Sequence, residues 1–314
     1  MGVLPRRSLG ASGIEVSTLA LGSWRTYERI SREQGVAVMG AARECGVTFL
    51  DDARYNDETG SAPIPTGYSE IVFGELFRAS GWKRDEVVVA NKLWWEFWPE
   101  QSAGAEVDAS LARMGFDYID VVYSWSAPDG PPVEEIVGSV GGLIESGKVR
   151  AWGTGNWDPA DHATAAKIAR AEGVPPPCAA QLPYSLALRT QVEGSDAIEA
   201  LDASGAAVVA SYVLYGGVLT GKYSDGAASG RMTAELSDPE LQPALEAARS
   251  LRELAARLGT SSAALALAFA LANPRVATVL FGATSPEQVT ENVRAVELLE
   301  QLEPAALAEL QAIT

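Results

Sequence analysis

Eight short β-rich runs alternate with helix-like segments along the chain, and this alternation constrains the fold more than any other feature. The runs are Val16–Gly22, Val47–Asp51, Glu86–Lys92, Tyr118–Ser124, Val149–Gly155, Pro177–Gln181, Ala207–Ser211 and Ala277–Phe281. Some, such as Val-Val-Val-Ala at 87–90, are apolar throughout, as strands covered on both faces are. Helix starts are marked between them. Ser31-Arg-Glu-Gln34 is a capping box. Ser69 precedes the pairs Val72/Leu76 and Phe73/Phe77, which meet at i,i+4 on a helix. Asp158-Pro159 and Ser285-Pro286-Glu-Gln288 each place a cap before a first-turn proline. Eight strand–helix units predict an α/β fold, a (β/α)8 TIM barrel, as one domain over residues 1–314. Arg7–Leu9 and Ile14–Val16, joined by Gly10-Ala-Ser-Gly13, predict an N-terminal β-hairpin at the barrel bottom.

Composition narrows the chemistry. The only histidine is His162, so a multi-histidine metal site is excluded and any Ser–His or Cys–His mechanism would need that one residue. It falls in the helix after the fifth strand, where a surface role is expected. The formal net charge is −17 without a basic block, which argues against nucleic acid as a partner. The longest apolar run, Ala263 to Ala272, is about half a membrane span. No signal-peptide h-region opens the chain. Cys45 and Cys178 form no metal or redox motif and read as two reduced, buried thiols. A cytoplasmic protein, neither in nor on a membrane, is expected.

A barrel of this kind carries its active site at the C-terminal ends of the strands. Those ends read Gly22-Ser23-Trp24, Asp51-Asp52-Ala-Arg-Tyr55, Asn91-Lys92, Tyr123-Ser-Trp125-Ser126, Gly155-Asn156-Trp157, Gln181 with Tyr184 following, Ser211-Tyr212 and Gly282-Ala-Thr284-Ser285. An isolated tyrosine hydroxyl, with a pKa of about 10, is a poor acid at neutral pH. A lysine cation beside it favours the phenolate, and a carboxylate beside the lysine keeps that lysine charged. Asp51, Tyr55 and Lys92 fit such a trio, able to protonate an oxyanion as it forms. The plain alternative is a structural Asp51–Lys92 ion pair with Tyr55 in an ordinary loop.

Several ordered motifs resemble the aldo-keto reductases over nearly the whole chain. They are GVTFLDDARY, GYSEIVFGELF, RDEVVVANK, SLARMGFDYIDVVYSW, GKVRAWGTGNW, QLPYS, GGVLTGKY and FGATSPEQVTENVRA. The style is nearest that of the potassium-channel β-subunit branch. The resemblance places the family's catalytic residues at Asp51, Tyr55 and Lys92, with Trp125 at the fourth position. It implies hydride transfer between a nicotinamide and a carbonyl carbon, with Tyr55 as proton donor. Three departures stand out. The family has four residues between Asp and Tyr, and this chain has three, so Asp52 competes with Asp51 for the match and Tyr68 is a distant rival for the acid. The family histidine is missing; Trp125, flanked by Ser124 and Ser126, stands nearest its place, and an indole N–H donates but does not accept. The loop from 56 to 67, NDETGSAPIPTG, is long and suits a lid or substrate wall. With Trp94, Trp95, Phe97 and Trp98 it suggests a bulky or aromatic carbonyl substrate, or else packing of the lid itself.

No Gly-x-Gly-x-x-Gly follows an early strand, so a Rossmann site is unsupported. Barrels hold phosphate after the seventh and eighth strands, and Gly282 to Gln288 leads from a glycine turn into a capped helix N-terminus. The resemblance assigns Gly282, Thr284, Gln288, Glu291 and Asn292 to the adenosine end, and Asn156 and Gln181 to the carboxamide. It assigns Ser211, Tyr212, Leu214, Lys222 and Arg231 to the ring and pyrophosphate. Gly22, Ser23 and Trp24 complete the cofactor candidates. The family's seventh-strand motif is altered here, leaving Tyr212 or Tyr184 to stack on the nicotinamide. NADP(H) is expected over NAD(H), and a homo-oligomer is compatible with the sequence. Two rival readings remain: a nucleotide-binding regulatory or sensor subunit, and a reductase of an imine or enone.

Overall fold

The computed structural model describes residues 4–127, 129–223, 232–233 and 236–314. Eight parallel strands close into a barrel: β3 (Leu19–Gly22), β4 (Phe49–Asp51), β5 (Val88–Leu93), β6 (Ile119–Trp125), β7 (Val149–Gly155), β8 (Ala179–Pro183), β9 (Ala207–Ser211) and β10 (Val276–Phe281), with β10 pairing back onto β3. Helices follow the strands and cover the barrel: α1 (Arg32–Glu44), α2 (Tyr68–Ala79), α3 (Ala103–Met114), α4 (Val133–Glu145), α5 (Pro159–Glu172), α6 (Thr190–Glu193), α7 (Ser195–Ser204), α8 (Gln242–Leu258), α9 (Ser262–Ala272) and α10 (Pro286–Gln301), with α11 (Pro304–Ala312) at the end. This is a (β/α)8 barrel. No single helix among the described residues is long and apolar enough to cross a membrane.

The run expected as one first strand, Val16–Gly22, divides at Thr18. Its start belongs to an antiparallel hairpin of β1 (Arg6–Ser8) and β2 (Glu15–Ser17), and its end is β3. The hairpin drives Leu9, Ile14 and Val16 against Phe49, Val88 and Cys178 inside the barrel. Arg7 donates to the carbonyl oxygens of Val276 and Leu271. Gly10 has φ +55, and a Cβ there would overlap the carbonyl oxygen of Cys178. Only glycine serves where the backbone is both left-handed and this close to another strand. Cys45 and Cys178 are free and buried.

Period two along each strand decides which side chains reach the barrel interior. Ala20, Phe49, Ala90, Tyr123, Ala179 and Val209 belong to the interior cluster. Two residues later on the same face stand Gly22, Asp51, Lys92, Trp125, Gln181 and Ser211, toward the C-terminal side of the barrel. The odd-register neighbours point outward instead: Asn91 donates to Glu70, and Ser124 accepts from the Trp95 indole.

One of the expected helix caps is corrected. Ser69 does not cap α2; the helix opens after Gly67, in the left-handed region at φ 79. Ser69 Oγ instead accepts from the Tyr55 amide and donates to the Ala53 carbonyl, so it holds the β4–α2 loop. Ser31 and Ser285 do cap as expected, accepting from Gln34 N and Gln288 N.

His162 is not a surface residue: it is 3% exposed. Its Nδ1 lies 2.8 Å from Thr154 Oγ1 on β7 and its Nε2 lies 2.8 Å from Ser204 Oγ on α7. Two hydroxyl partners satisfy a neutral ring, and α5 uses it to tie β7 to α7. Burial pushes its pKa from 6.5 down to about 4. Above pH 6.5 the folded and unfolded chains are both neutral there. Between 6.5 and 4 only the unfolded chain takes up the proton, so stability falls as the pH falls, by about 3 kcal/mol in all. Urea unfolding of wild type and His162→Gln across this range is expected to differ by that slope. A flat difference would show that His162 does not titrate.

Candidate active site

The inward-facing strand ends surround a cavity of about 800 Å³ that extends from Lys92 to Asn292. On its floor, Lys92 Nζ is 2.7 Å from Asp51 Oδ1 and 3.1 Å from Tyr55 Oη. Asp51 and Lys92 are 3% and 4% exposed. β4 and β5 pair with Asp51 opposite Ala90, which places the carboxylate beside the lysine two residues further on. Tyr55 is carried by the loop after β4. That loop is pinned by Ser69, and Gly67 N donates to the Tyr55 carbonyl at 2.9 Å.

The two adjacent aspartates face different ways. Asp51 faces the cavity, whereas Asp52 faces outward and accepts from Ser23 Oγ. Burial and the neighbouring Glu70 push the Asp52 pKa well up. Tyr68 does not line the cavity, and its hydroxyl accepts from Arg32 at 2.9 Å.

The electrostatics correct a simple expectation. Lys92 and Asp51 do act on Tyr55 as anticipated in kind, but the net shift of its phenol is upward. Burial is the largest cause, the Lys92 cation pulls the other way, and Asp51 adds to the rise. The phenol therefore keeps its proton at neutral pH. For Lys92, burial opposes the charge, but Asp51 and Tyr55 outweigh it and the ammonium is held above its ordinary range. The trio is a protonated donor beside a permanent cation.

Aromatic rings wall this end. Trp94 meets Tyr55 edge-on at 6.0 Å and Trp125 at 5.3 Å, and Lys92 Nζ lies 5.7 Å from the Trp125 ring centre. Trp24, which is 40% exposed, and Tyr212 face one another at 6.5 Å. The remaining aromatics of the strand-5 loop go elsewhere. Trp95 is buried against Ser124, Trp98 donates to Glu135, and Phe97 lies beside Arg54. The loop at 56–67 contributes no lining residue. Its Asp57 folds it into a turn by accepting from Thr59 N and Ala62 N. Glu58 pairs with Arg25 and Arg29, so the loop buttresses the mouth from behind rather than walling it.

Trp125 pairs in register with Gly155, and a Cβ on Gly155 would overlap the indole. Gly155→Ala is therefore expected to displace Trp125 from Trp94. Near-ultraviolet circular dichroism should lose the signal of the coupled indoles, with a stability loss of about 1–3 kcal/mol. An unchanged spectrum would contradict the packing.

At the other end, Gly282, Thr284, Gln288, Glu291 and Asn292 line the cavity, with Gln288 Oε1 accepting from Thr284 N at 2.8 Å. Gly22, Trp24, Asn156, Gln181, Ser211, Tyr212, Leu214 and Lys222 also line it. Ser23 does not, because its hydroxyl is committed to Asp52. Arg231 lies outside the described residues. Tyr184 is buried against Phe269, donates to Glu193 and does not line the cavity, whereas Tyr212 does. Asn156 and Tyr212 hold left-handed backbone at φ 57 and 56, a strain that concentrates at functional positions.

Sequence reasoning missed the N-terminus of α9, where Ser261, Ser262 and Ala263 reach the cavity. Its signal was available: Ser261 caps that helix by accepting from Ala264 N. It also missed Gly216 and Gly217, both at positive φ; a Cβ at 217 would come within 2.9 Å of Lys222 Nζ. These residues fit a dinucleotide. Two helix N-termini and Lys222 offer donors for phosphates, the paired glycines leave space beside that lysine, and Gln181 and Asn156 offer amides near the trio. Among the described residues no cluster suited to a metal ion exists.

The chain matches the family model "Aldo/keto reductase family" over residues 18–314. It is 31% identical to a putative voltage-gated potassium channel subunit beta of Schizosaccharomyces pombe, over 99% of this chain and 93% of that protein. It is also 31% identical to a probable voltage-gated potassium channel subunit beta of Oryza sativa subsp. japonica, over 98% and 95%, and 29% identical to one of Arabidopsis thaliana, over the same shares. The barrel, the buried trio at its mouth and the match along almost its full length agree: this chain belongs to the aldo/keto reductase family.

Proposed function

We propose that the chain is an NADP(H)-dependent reductase of small carbonyl compounds, with Tyr55 as the proton donor. The observation that carries this reading is Lys92 Nζ bonded at once to Asp51 and Tyr55 on the floor of a large cavity. The nicotinamide, when bound, supplies the hydride. Tyr55 Oη gives its proton to the carbonyl oxygen as charge develops there. The Lys92 cation, 3.1 Å away, steadies the phenolate left behind, and Asp51 keeps that cation in position. Trp125 takes the place of a fourth polar group. Its indole N–H donates only, so it orients the carbonyl oxygen and does not relay a proton. Trp24, Trp94, Trp125 and Tyr212 favour a flat, aromatic carbonyl substrate, since offset and edge-on ring contacts add to apolar burial.

A second reading is an NADP(H)-binding regulatory or sensor subunit with little turnover. The channel-subunit names of the relatives and the missing family histidine favour it. NADPH absorbance decay over a panel of aromatic aldehydes, beside NADPH binding followed by tryptophan quenching, separates the two. Tight binding with no turnover on any acceptor would select the sensor.

A further inference from the structure

We infer that Gln181 is a positioning residue: it holds Asp51 in the orientation that anchors Lys92, and so links whatever occupies the neighbouring cavity floor to the proton-donating trio. The inference rests on the reductase reading of that trio. Asp51 is a nearly fully buried carboxylate with two oxygens to satisfy. Oδ1 accepts from Lys92 at 2.7 Å, and Oδ2 accepts from Gln181 Nε2 at 2.9 Å. Both residues project inward from their strands, 130 positions apart in the chain. Without the amide, Oδ2 is a buried acceptor with no donor, and a carboxylate so placed rotates to find one. Rotation would move Oδ1 off Lys92, and Lys92 off Tyr55.

The same bond fixes what Gln181 offers to the cavity. An ionised carboxylate only accepts, so the nitrogen of the amide must face Asp51 and the oxygen must face away. Gln181 lines the cavity, and its Oε1 forms no hydrogen bond among the described residues. A ligand that presents an N–H there leaves this arrangement intact. A ligand that accepts at Oε1 would flip the amide and strip Asp51 of its second donor. The titratable groups that bear on this carboxylate are Lys92 and Tyr55 at the mouth and Tyr123 on β6.

The test uses the full chain, NADPH and 4-nitrobenzaldehyde. Gln181→Met keeps the volume and removes the donor; Asp51→Asn and the double variant complete a cycle. At saturating NADPH, Q181M is expected to turn over at least tenfold more slowly with a displaced pH profile. The double variant should be no slower than D51N alone. Urea midpoints should show the same coupling, with Q181M lowering the midpoint in the wild-type background and not in D51N. Should Q181M fail to fold, Gln181→Asn, whose shorter amide cannot span the gap, takes its place with the same expectations. A rate that recovers fully at saturating NADPH with the wild-type pH profile, together with additive unfolding, would overturn the inference and leave Gln181 a plain ligand contact. If wild type itself binds NADPH without turnover, or does not bind it, the reductase reading fails instead, and the unfolding cycle still decides whether Gln181 positions Asp51.

Discussion

Tyr55→Phe is expected to lower NADPH-dependent reduction of 4-nitrobenzaldehyde by about 10²–10⁴-fold, the usual contribution of a positioned proton donor. NADPH affinity, followed by tryptophan quenching, should stay within about threefold of wild type. The two outcomes part because the hydroxyl and the ring do different work. The hydroxyl is the atom bonded to Lys92, while the ring packs edge-on against Trp94 at 6.0 Å. Phenylalanine keeps the ring and its packing. It also leaves the Asp51–Lys92 pair with its 2.7 Å contact and leaves Gln181 on Asp51. The backbone of residue 55 is held by Ser69 and Gly67, independent of its side chain. A large loss of rate with intact binding and an unchanged melting temperature is thus the signature of the missing proton. Turnover equal to wild type would remove Tyr55 from the mechanism. Tyr68 could not replace it without leaving Arg32 and entering a cavity it does not line.

What was legible in the sequence depended on whether a signal was local. Strand runs and capping residues are local, and the barrel followed from their alternation. The trio was legible because two neighbouring strand ends carried the right chemistry. The choice between Asp51 and Asp52 was not, since it turns on strand parity, which a shift of one residue reverses. Counting by two from interior Phe49 selects Asp51, and counting from Ala90 selects Lys92 over Asn91. The same count sets Trp125 inward and Ser124 outward. His162 was misread because burial of a polar ring depends on partners from β7 and α7, 8 and 42 residues away. The loop at 56–67 was misread for a similar reason. Glycine and proline content announces a loop, but only the pairing of Glu58 with Arg25 and Arg29 says which way it faces. Ser69 carried a correct signal for a helix start and served a different bond, the one that seats Tyr55.

Lys92→Met is expected to lose both activity and stability, and the second loss reports on the pair independently of any substrate. Removing one partner from a buried ion pair leaves the other charge uncompensated, at a cost of about 3–5 kcal/mol. Asp51 is 3% exposed, and after the substitution only Gln181 would still donate to it. Methionine fills most of the space of the lysine stem, so little of the loss comes from packing. The lysine pKa in the folded chain lies above its ordinary value, with burial opposing the charge and Asp51 and Tyr55 prevailing. A raised value means that the lysine's contribution is complete at neutral pH and fades only as the pH climbs past the ordinary lysine range of about 10.4. Urea unfolding at pH 7 should therefore show the full deficit. Because both groups are buried, added salt should change it little, unlike the exposed Lys83–Glu86 pair. In the double variant Lys92→Met/Asp51→Asn the stranded charge is gone, and stability should recover by more than half while turnover stays lost. A single variant within about 1 kcal/mol of wild type, or a double variant no better than the single, would mean that Asp51 is not confined to Lys92 and Gln181. The catalytic role proposed for the trio would then lose its structural basis.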